Sequence, residues 1–296
     1  MALQQATCGF SRPINVECKA ALDHSDLCTQ VYEHNHHEIK KTIRIEKLSL
    51  KELERWSADI WLMSPPCQPH SRQHSNQEHD LKDPRSQSFL HLCDLLRKLP
   101  VESLPKLVFL ENGVGFESSA SRGRCLEVYQ ERGYHVGEFH LSPTQVGIPN
   151  DRPRYFSLAV LESSMSPNAV WTKYAHKPDS KTQRIYSCIP ELQVPPPGEQ
   201  SDGVGTKTID SFLDLKLTEV CTTDLMVPKR LLERNASWCF DIVTPRSTRS
   251  ACFTSSYGKY VKGTGSVLYT GPGEDKIRLR RPDDREFDPD WHRGLD

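Results

Sequence analysis

Short apolar runs that alternate with helically spaced segments constrain this chain more than any other feature. Asn15–Leu22, Ala58–Met63 and Lys106–Asn112 read as strands, and Tyr134–Ser142 and Arg154–Leu161 follow them. Between them, Phe89, Leu92, Cys93, Leu96 and Leu99 recur at helical spacing, with Ser86 or Ser88 placed to cap that helix. Leu48–Trp56 and Arg124–Arg132 read as two shorter helices. Strands alternating with helices predict an α/β fold built on a mostly parallel sheet.

The alternation stops near Ser163, which bounds a first domain at residues 1–163. Residues 164–205 read as a loop or linker, since Pro190–Gly205 is rich in Pro, Gly and polar residues. Residues 206–270 form a second, compact module, and 271–296 read as a mixed-charge tail with too few apolar residues to order. At 296 residues and 36% hydrophobic content the chain supports a substantial core. Its formal charge of -1 excludes global attraction to nucleic acid, so any such binding must use a local patch. No run nears the roughly 18 apolar residues of a membrane span, and no secretory signal opens the chain. The expectation is an intracellular protein, cytoplasmic or nuclear, without a membrane partner and monomeric. Ten cysteines without a C-x-x-C pair read as reduced thiols. His34–Glu38, "HNHHE", reads as a solvated turn, so no metal is expected.

The strand ending at Met63 runs straight into Ser64-Pro65-Pro66-Cys67-Gln68-Pro69. A thiol just past the C-terminal end of a strand sits where open α/β sheets bind their ligands. Prolines fix φ on either side of it and lower the entropy of presenting it. Glu111 and Asn112 end the next strand beside a glycine turn, and a carboxylate there is either a catalytic acid or a loop cap. Arg152 and Arg154 stand two apart at the start of a later strand, spacing that lets both guanidinium groups share one face. Thiol, carboxylate and two arginines together suit attack on an electron-poor ring.

These stretches, "SPPCQP", "LENGVGFE" and "SPTQVGIPNDRPRYF" in that order, resemble motifs IV, VI and VIII of the cytosine-5 methyltransferases. Cys252, Phe253 and Thr254 resemble the Cys-Phe-Thr signature of the type-2 branch, which methylates an anticodon-loop cytosine of aspartate tRNA. The resemblance runs from Ala2 to Leu268, with a weakly matching stretch from Glu162 to Val227. It implies a Rossmann-like S-adenosylmethionine-dependent sheet followed by a smaller target-recognition module. It also implies that Cys67 adds as thiolate to carbon 6 of cytosine, that Glu111 protonates or hydrogen-bonds ring nitrogen 3, and that Arg152 and Arg154 position the base and the Cys67 loop. Asp23 matches the acidic residue that binds the cofactor ribose, with Ile43 and Pro65 as further cofactor contacts. The target base must leave its stack, which a single-stranded loop makes cheaper than a duplex does.

Two departures from the family follow. Gly113 stands where members read Val, and neither the glycine-rich cofactor loop of the first motif nor the last Arg-x-x-x-x-Gly-Asn-Ser motif occurs, so the chain reads as truncated at both ends and is expected, as it stands, to bind S-adenosylmethionine weakly or not at all and to show little methyl transfer. The segment Lys229–Lys262 mixes Arg246, Arg249, Lys259 and other cations with Trp, Phe and Tyr, a composition suited to RNA contact. The expected function is tRNA cytosine-5 methylation. DNA cytosine is the alternative substrate, and an impaired nucleic-acid-binding homologue is the alternative class. A thiol-dependent redox or hydrolytic enzyme explains neither Glu111 nor the arginines.

Overall fold

The computed structural model describes residues 16–36, 40–66, 80–179, 181, 184–192, 207–213, 226–234, 237–254 and 256–269. The chain divides into two compact units, Met1–His140 with Arg154–Tyr186, and Leu141–Pro153 with Ser187–Asp296. The tail read at 271–296 and much of the Pro/Gly-rich linker lie outside the described residues.

In the first unit, β1 (Ala21–Asp23) leads into helix α1 (Asp26–Asn35), β2 (Lys40–Thr42) and α2 (Leu50–Trp56). Strand β3 (Ile60–Met63), α3 (Gln87–Lys98), β4 (Leu107–Gly113), α4 (Ala120–Glu131), β5 (Tyr134–Leu141), β6 (Arg154–Leu161) and β7 (Ile185–Tyr186) follow. Ser49 starts α2 through a reciprocal capping box with Glu52, which satisfies two helix-end donors at once. Ser86 takes the N-cap position of α3, but its hydroxyl makes no capping bond. His34 falls in the last turn of α1 and His36 caps it, so the read turn is a helix end; His37 and Glu38 lie outside the described residues.

Strands β1 and β2 pair in parallel, and the five-stranded sheet runs in the order β3-β4-β6-β5-β7. Here the expectation of a mostly parallel sheet changes: β3 is parallel to β4, β4 is antiparallel to β6, and β5 is parallel to β7, so the sheet is mixed. Apolar alternation marks which residues face inward but not which way a strand runs, so the sequence pattern is blind to this reversal. Val108, Leu110 and Asn112 of β4 and Tyr155, Ser157 and Ala159 of β6 are buried on one face. Helices α3 and α4 cover that face, burying Phe89, Cys93, Leu96, Cys125, Leu126 and Tyr129. Phe89, Cys93 and Leu96 follow the period of 3.6, which is why the predicted helix forms and docks.

An ion pair lies inside this core. Arg122 of α4 donates from Nε and Nη2 to the two carboxylate oxygens of Glu138 on β5, at 2.6 and 2.7 Å. Tyr155 on β6 donates its hydroxyl to the same carboxylate at 2.5 Å. Side-chain exposure is 3% for Arg122 and 0% for Glu138, so this pair has no help from solvent. Burial works against the Arg122 charge, but the Glu138 hydrogen bonds together with the charges of Glu138 and Tyr155 outweigh it, so its pKa rises. Burial and the neighbouring Glu138 charge push the Tyr155 phenol well above its ordinary value.

The second unit contains a one-turn helix α5 (Lys229–Leu232) and a parallel pair, β8 (Asp241–Val243) and β9 (Ser266–Leu268), and buries Leu231, Val243 and Val261. The segment Leu141–Pro153 belongs to this unit through backbone bonds: Asp151 N donates to Ser250 O at 2.7 Å and Lys207 N to Gly147 O at 3.0 Å. Among the described residues no helix is long and apolar enough to cross a membrane, and no cluster of three or more His, Cys, Asp and Glu forms a metal site.

The buried pair yields a stability test. Replacing Glu138 by Gln leaves the Arg122 charge uncompensated in the core and should cost about 3–5 kcal/mol in denaturant unfolding. Replacing both, Arg122→Met with Glu138→Leu, should cost less than the single change, because no unpaired charge remains.

Candidate active site

Strand β4 ends at Glu111, Asn112 and Gly113, and its register sets Gly113 opposite Arg154 and Glu111 opposite Phe156. Glu111 and Arg154 therefore lie diagonally on one face of the sheet. Arg154 Nε stands 3.2 Å from Glu111 Oε1, and the two side chains are 31% (Glu111) and 26% (Arg154) exposed. This is a half-open carboxylate held by a guanidinium, within reach of a ligand yet fixed in orientation. Arg152, two residues earlier, precedes β6 and so escapes its alternation. Its Nη1 donates to Cys252 Sγ at 2.8 Å, and its backbone N–H donates to Ser142 Oγ at 3.0 Å. The expected sharing of one face by the two arginines is not seen; each guanidinium has its own partner.

The adjacent Asn112 points the other way, into the core, and is 1% exposed. Its Nδ2 donates to the carbonyl of Pro65 at 3.2 Å, and its Oδ1 accepts the Gly113 N–H at 2.8 Å. One residue of β4 thus presents its carboxylate to the open face, and the next one grips the Pro65-Pro66 turn that leads to Cys67. Cys67 itself lies outside the described residues. The turn after β4 is closed by Gly115, whose φ of 114° favours glycine, and by Glu117, which accepts the Gly115 N–H at 2.7 Å. Glu117 also stands 3.2 Å from His140 Nε2.

At the other expected site, β1 ends on Asp23 and the Ile43 N–H donates to the Asp23 carbonyl at 2.8 Å, so the two read cofactor positions are neighbours. Asp23 Oδ1 accepts the Ser25 N–H at 2.8 Å, and the side chain is 45% exposed. An oriented, accessible carboxylate at the C-terminal ends of two parallel strands fits a ribose diol.

In the second unit Arg246, Arg249, Phe253, Thr254 and Lys259 are all exposed. Arg249 donates from Nε and Nη2 to Asp151 Oδ2 at 3.0 and 2.8 Å, so its charge is partly committed within the protein. The Thr254 N–H donates to Thr264 O at 3.0 Å, and the rings of Phe253 and Tyr257 meet edge to face at 4.7 Å. Tyr260 is 61% and Phe253 66% exposed, an unusual display for large aromatic rings.

Sequence reasoning named Asn112 without a role and passed over Asp151, Glu117 and His140. Their roles depend on partners 47 residues away for Asn112 and 98 for Asp151. For Asn112 the only signal was its place beside Glu111 after an apolar strand.

A mixed sheet flanked by helices, with a carboxylate and an arginine converging at the end of one strand and the start of its neighbour, is an α/β fold with a candidate enzyme site. Residues 2–222 match the C-5 cytosine-specific DNA methylases, and the chain belongs to that family. A mouse tRNA (cytosine(38)-C(5))-methyltransferase is 36% identical over 286 residues, covering 84% of this chain and 67% of the relative. A Dictyostelium discoideum DNA (cytosine-5)-methyltransferase is 32% identical, covering 80% of this chain and 65% of the relative. A crystallised triple mutant of Spodoptera frugiperda DNMT2 superposes with a TM-score of 0.68 at 30% identity, covering 88% of this chain and 70% of that one.

The exposed aromatic turn has its own test. A Cβ built on Gly265 meets Phe253 Cδ1 at 2.6 Å and Phe253 Cα at 3.0 Å, and the φ of 130° admits few other residues. Gly265→Ala should displace Phe253 and weaken the second unit by about 1–3 kcal/mol. Limited proteolysis between Cys252 and Gly265, faster than in the parent chain, would report it.

Proposed function

We propose that this chain methylates carbon 5 of an anticodon-loop cytosine in tRNA, with S-adenosylmethionine as the methyl donor. The observation that carries this reading is the Glu111–Arg154 pair, set on the strand whose next residue, Asn112, holds the Pro65-Pro66 turn before Cys67. The kinship with tRNA cytosine-38 methyltransferases supports the choice of substrate.

Cys67, as thiolate, adds to carbon 6 of the cytosine, and the ring electrons move to carbon 5. Glu111 donates a proton or hydrogen bond to ring nitrogen 3, which accepts the charge that this addition creates. Arg154 keeps the Glu111 carboxyl turned toward the base. Asp23 and Ile43 would hold the cofactor ribose and adenine, with Pro65 beside them; the cofactor, when bound, supplies an electrophilic methyl group. Once carbon 5 has taken the methyl, loss of its proton to solvent and departure of Cys67 as thiolate restore the ring, and ring nitrogen 3 returns its proton to Glu111. Arg152 acts from the segment joined to Cys252, on the side of target recognition.

The second unit is the proposed target-recognition module, with Arg246 and Lys259 on phosphates and Phe253 on an unstacked base. Cys252 and Thr254 hold that aromatic in place. A DNA cytosine is the second reading, favoured by the Dictyostelium relative, and competition between tRNA and DNA oligonucleotides for methyl transfer separates the two.

Two outcomes are expected. Cys67→Ser abolishes methyl transfer and covalent trapping on RNA bearing 5-fluorocytosine, while Cys93→Ser, altering a buried thiol of the core, leaves trapping intact; trapping by the Cys67 variant would overturn the mechanism. For RNA affinity, Arg246→Ala and Arg249→Ala should each reduce the slope of log affinity against log salt, by up to about 0.7–0.9 for one phosphate contact. Slopes unchanged from the parent chain in both variants would assign neither to phosphate.

A further inference from the structure

Three segments of the second unit are laced together by backbone bonds. The Lys207 N–H donates to the Gly147 carbonyl at 3.0 Å. The Ile209 N–H donates to Ser247 O and the Asp210 N–H to Pro245 O, both at 2.9 Å. These bonds pin the first two residues of a short 3-10 turn, Ile209–Phe212, against the turn that carries the exposed Arg246. At the end of the pinned turn Phe212 is 53% exposed, and Lys207 Nζ stands 5.7 Å from its ring centroid. Val146 and Ile148, on either side of Gly147, are exposed as well. A single exposed apolar side chain is ordinary, but here three come from segments joined at one place. Within 207–213 and 244–249 the cations are Lys207, Arg246 and Arg249, and the acid is Asp210. Asp210 accepts the Thr208 hydroxyl, and Arg249 engages Asp151.

A cation beside an exposed ring is the pairing that binds single-stranded nucleic acid: the ring stacks on a base, since every base has an open face, and the cation takes a phosphate. Protein partners are a poorer match, because the centre of a protein interface is depleted in charge and in lysine above all. We infer that Lys207 and Phe212 form a second nucleotide contact of the target-recognition module, with Phe212 stacking on an unpaired base of the RNA and Lys207 on its backbone phosphate. Arg246, on the adjoining turn, adds a further cation to this stretch of surface. The inference deepens the RNA reading proposed above and rests on it. It gives a role to 207–213, a segment that the sequence placed in the module without a contact residue.

The test uses the full chain and a fluorescently labelled tRNA anticodon hairpin, with binding read by anisotropy. Phe212→Ala should weaken binding by about fivefold or more, as expected for one base stacked on one ring, and leave the slope of log affinity against log salt unchanged. Phe212→Trp should restore the affinity, whereas Phe212→Leu, apolar but without a ring, should not. Lys207→Ala should instead reduce the slope by about 0.7, one single-strand phosphate contact, and Lys207→Arg should keep it. A fully paired RNA duplex offers no open base face, so its binding should not respond to Phe212→Ala. Unchanged hairpin affinity in Phe212→Ala, restoration by Leu as complete as by Trp, or an equal loss on the duplex overturns the inference. If Phe212→Ala fails to fold, the comparison of Leu with Trp decides by the same criterion. Binding is read without turnover, so a parent chain that binds the hairpin but transfers no methyl group would refute the proposed methylation and leave this test standing. A parent chain that methylates tRNA while Phe212→Ala binds it as tightly would refute this inference alone, and one that does not bind the hairpin overturns both.

Discussion

The antiparallel pairing of β4 with β6 is the constraint from which the site follows. Because Gly113 stands opposite Arg154, Glu111 and Arg154 fall on the same face at neighbouring ends of two strands. A slip of one residue would send Glu111 into the core and bring Asn112 out, since successive side chains alternate. On its other side β6 is tied to its neighbours from inside the core: Tyr155 of β6 donates to Glu138 of β5, and Arg122 of α4 completes that carboxylate. Apolar packing tolerates small displacements, whereas a buried ion pair with three directed hydrogen bonds does not. The charged core is thus the element that ties β5, β6 and α4 into one arrangement beneath the reactive face.

Alternation on β4 also divides the labour of the site. Glu111 faces out to do chemistry, and Asn112 faces in to hold the turn that leads to the nucleophile. Neither role is available to the other residue, because the strand period places them on opposite faces. The second unit uses a similar economy at Leu141–Pro153. Asp151 and Arg152 there bind Arg249 and Cys252 respectively, so the stretch preceding β6 belongs structurally to the unit that displays the exposed aromatics.

Much of this was legible in the residues. The helix at Gln87–Lys98 announced itself by its period, because burying one stripe of a helix against a sheet requires that spacing. Strands β4, β5 and β6 were visible as apolar runs, whereas Glu111 by itself read equally as a catalytic acid or a loop cap, and only the motif around it favoured the acid. The direction of β6 was not legible, since inward and outward alternation is the same for either polarity. The separate fates of Arg152 and Arg154 were hidden for a related reason: spacing by two predicts a shared face only if both residues lie within the strand, and β6 begins at Arg154.

The order of motifs, the proline-stiffened thiol and the family to which the chain belongs are properties of local sequence, because each depends on residues a few positions apart. What gives Asn112, Asp151 and the Arg122–Glu138–Tyr155 group their roles is contact between residues distant in the chain. No local pattern encodes such a contact. A buried asparagine or aspartate in the sequence looks like any polar residue near a turn, and it acquires a function only when folding removes water and leaves one protein partner to satisfy it.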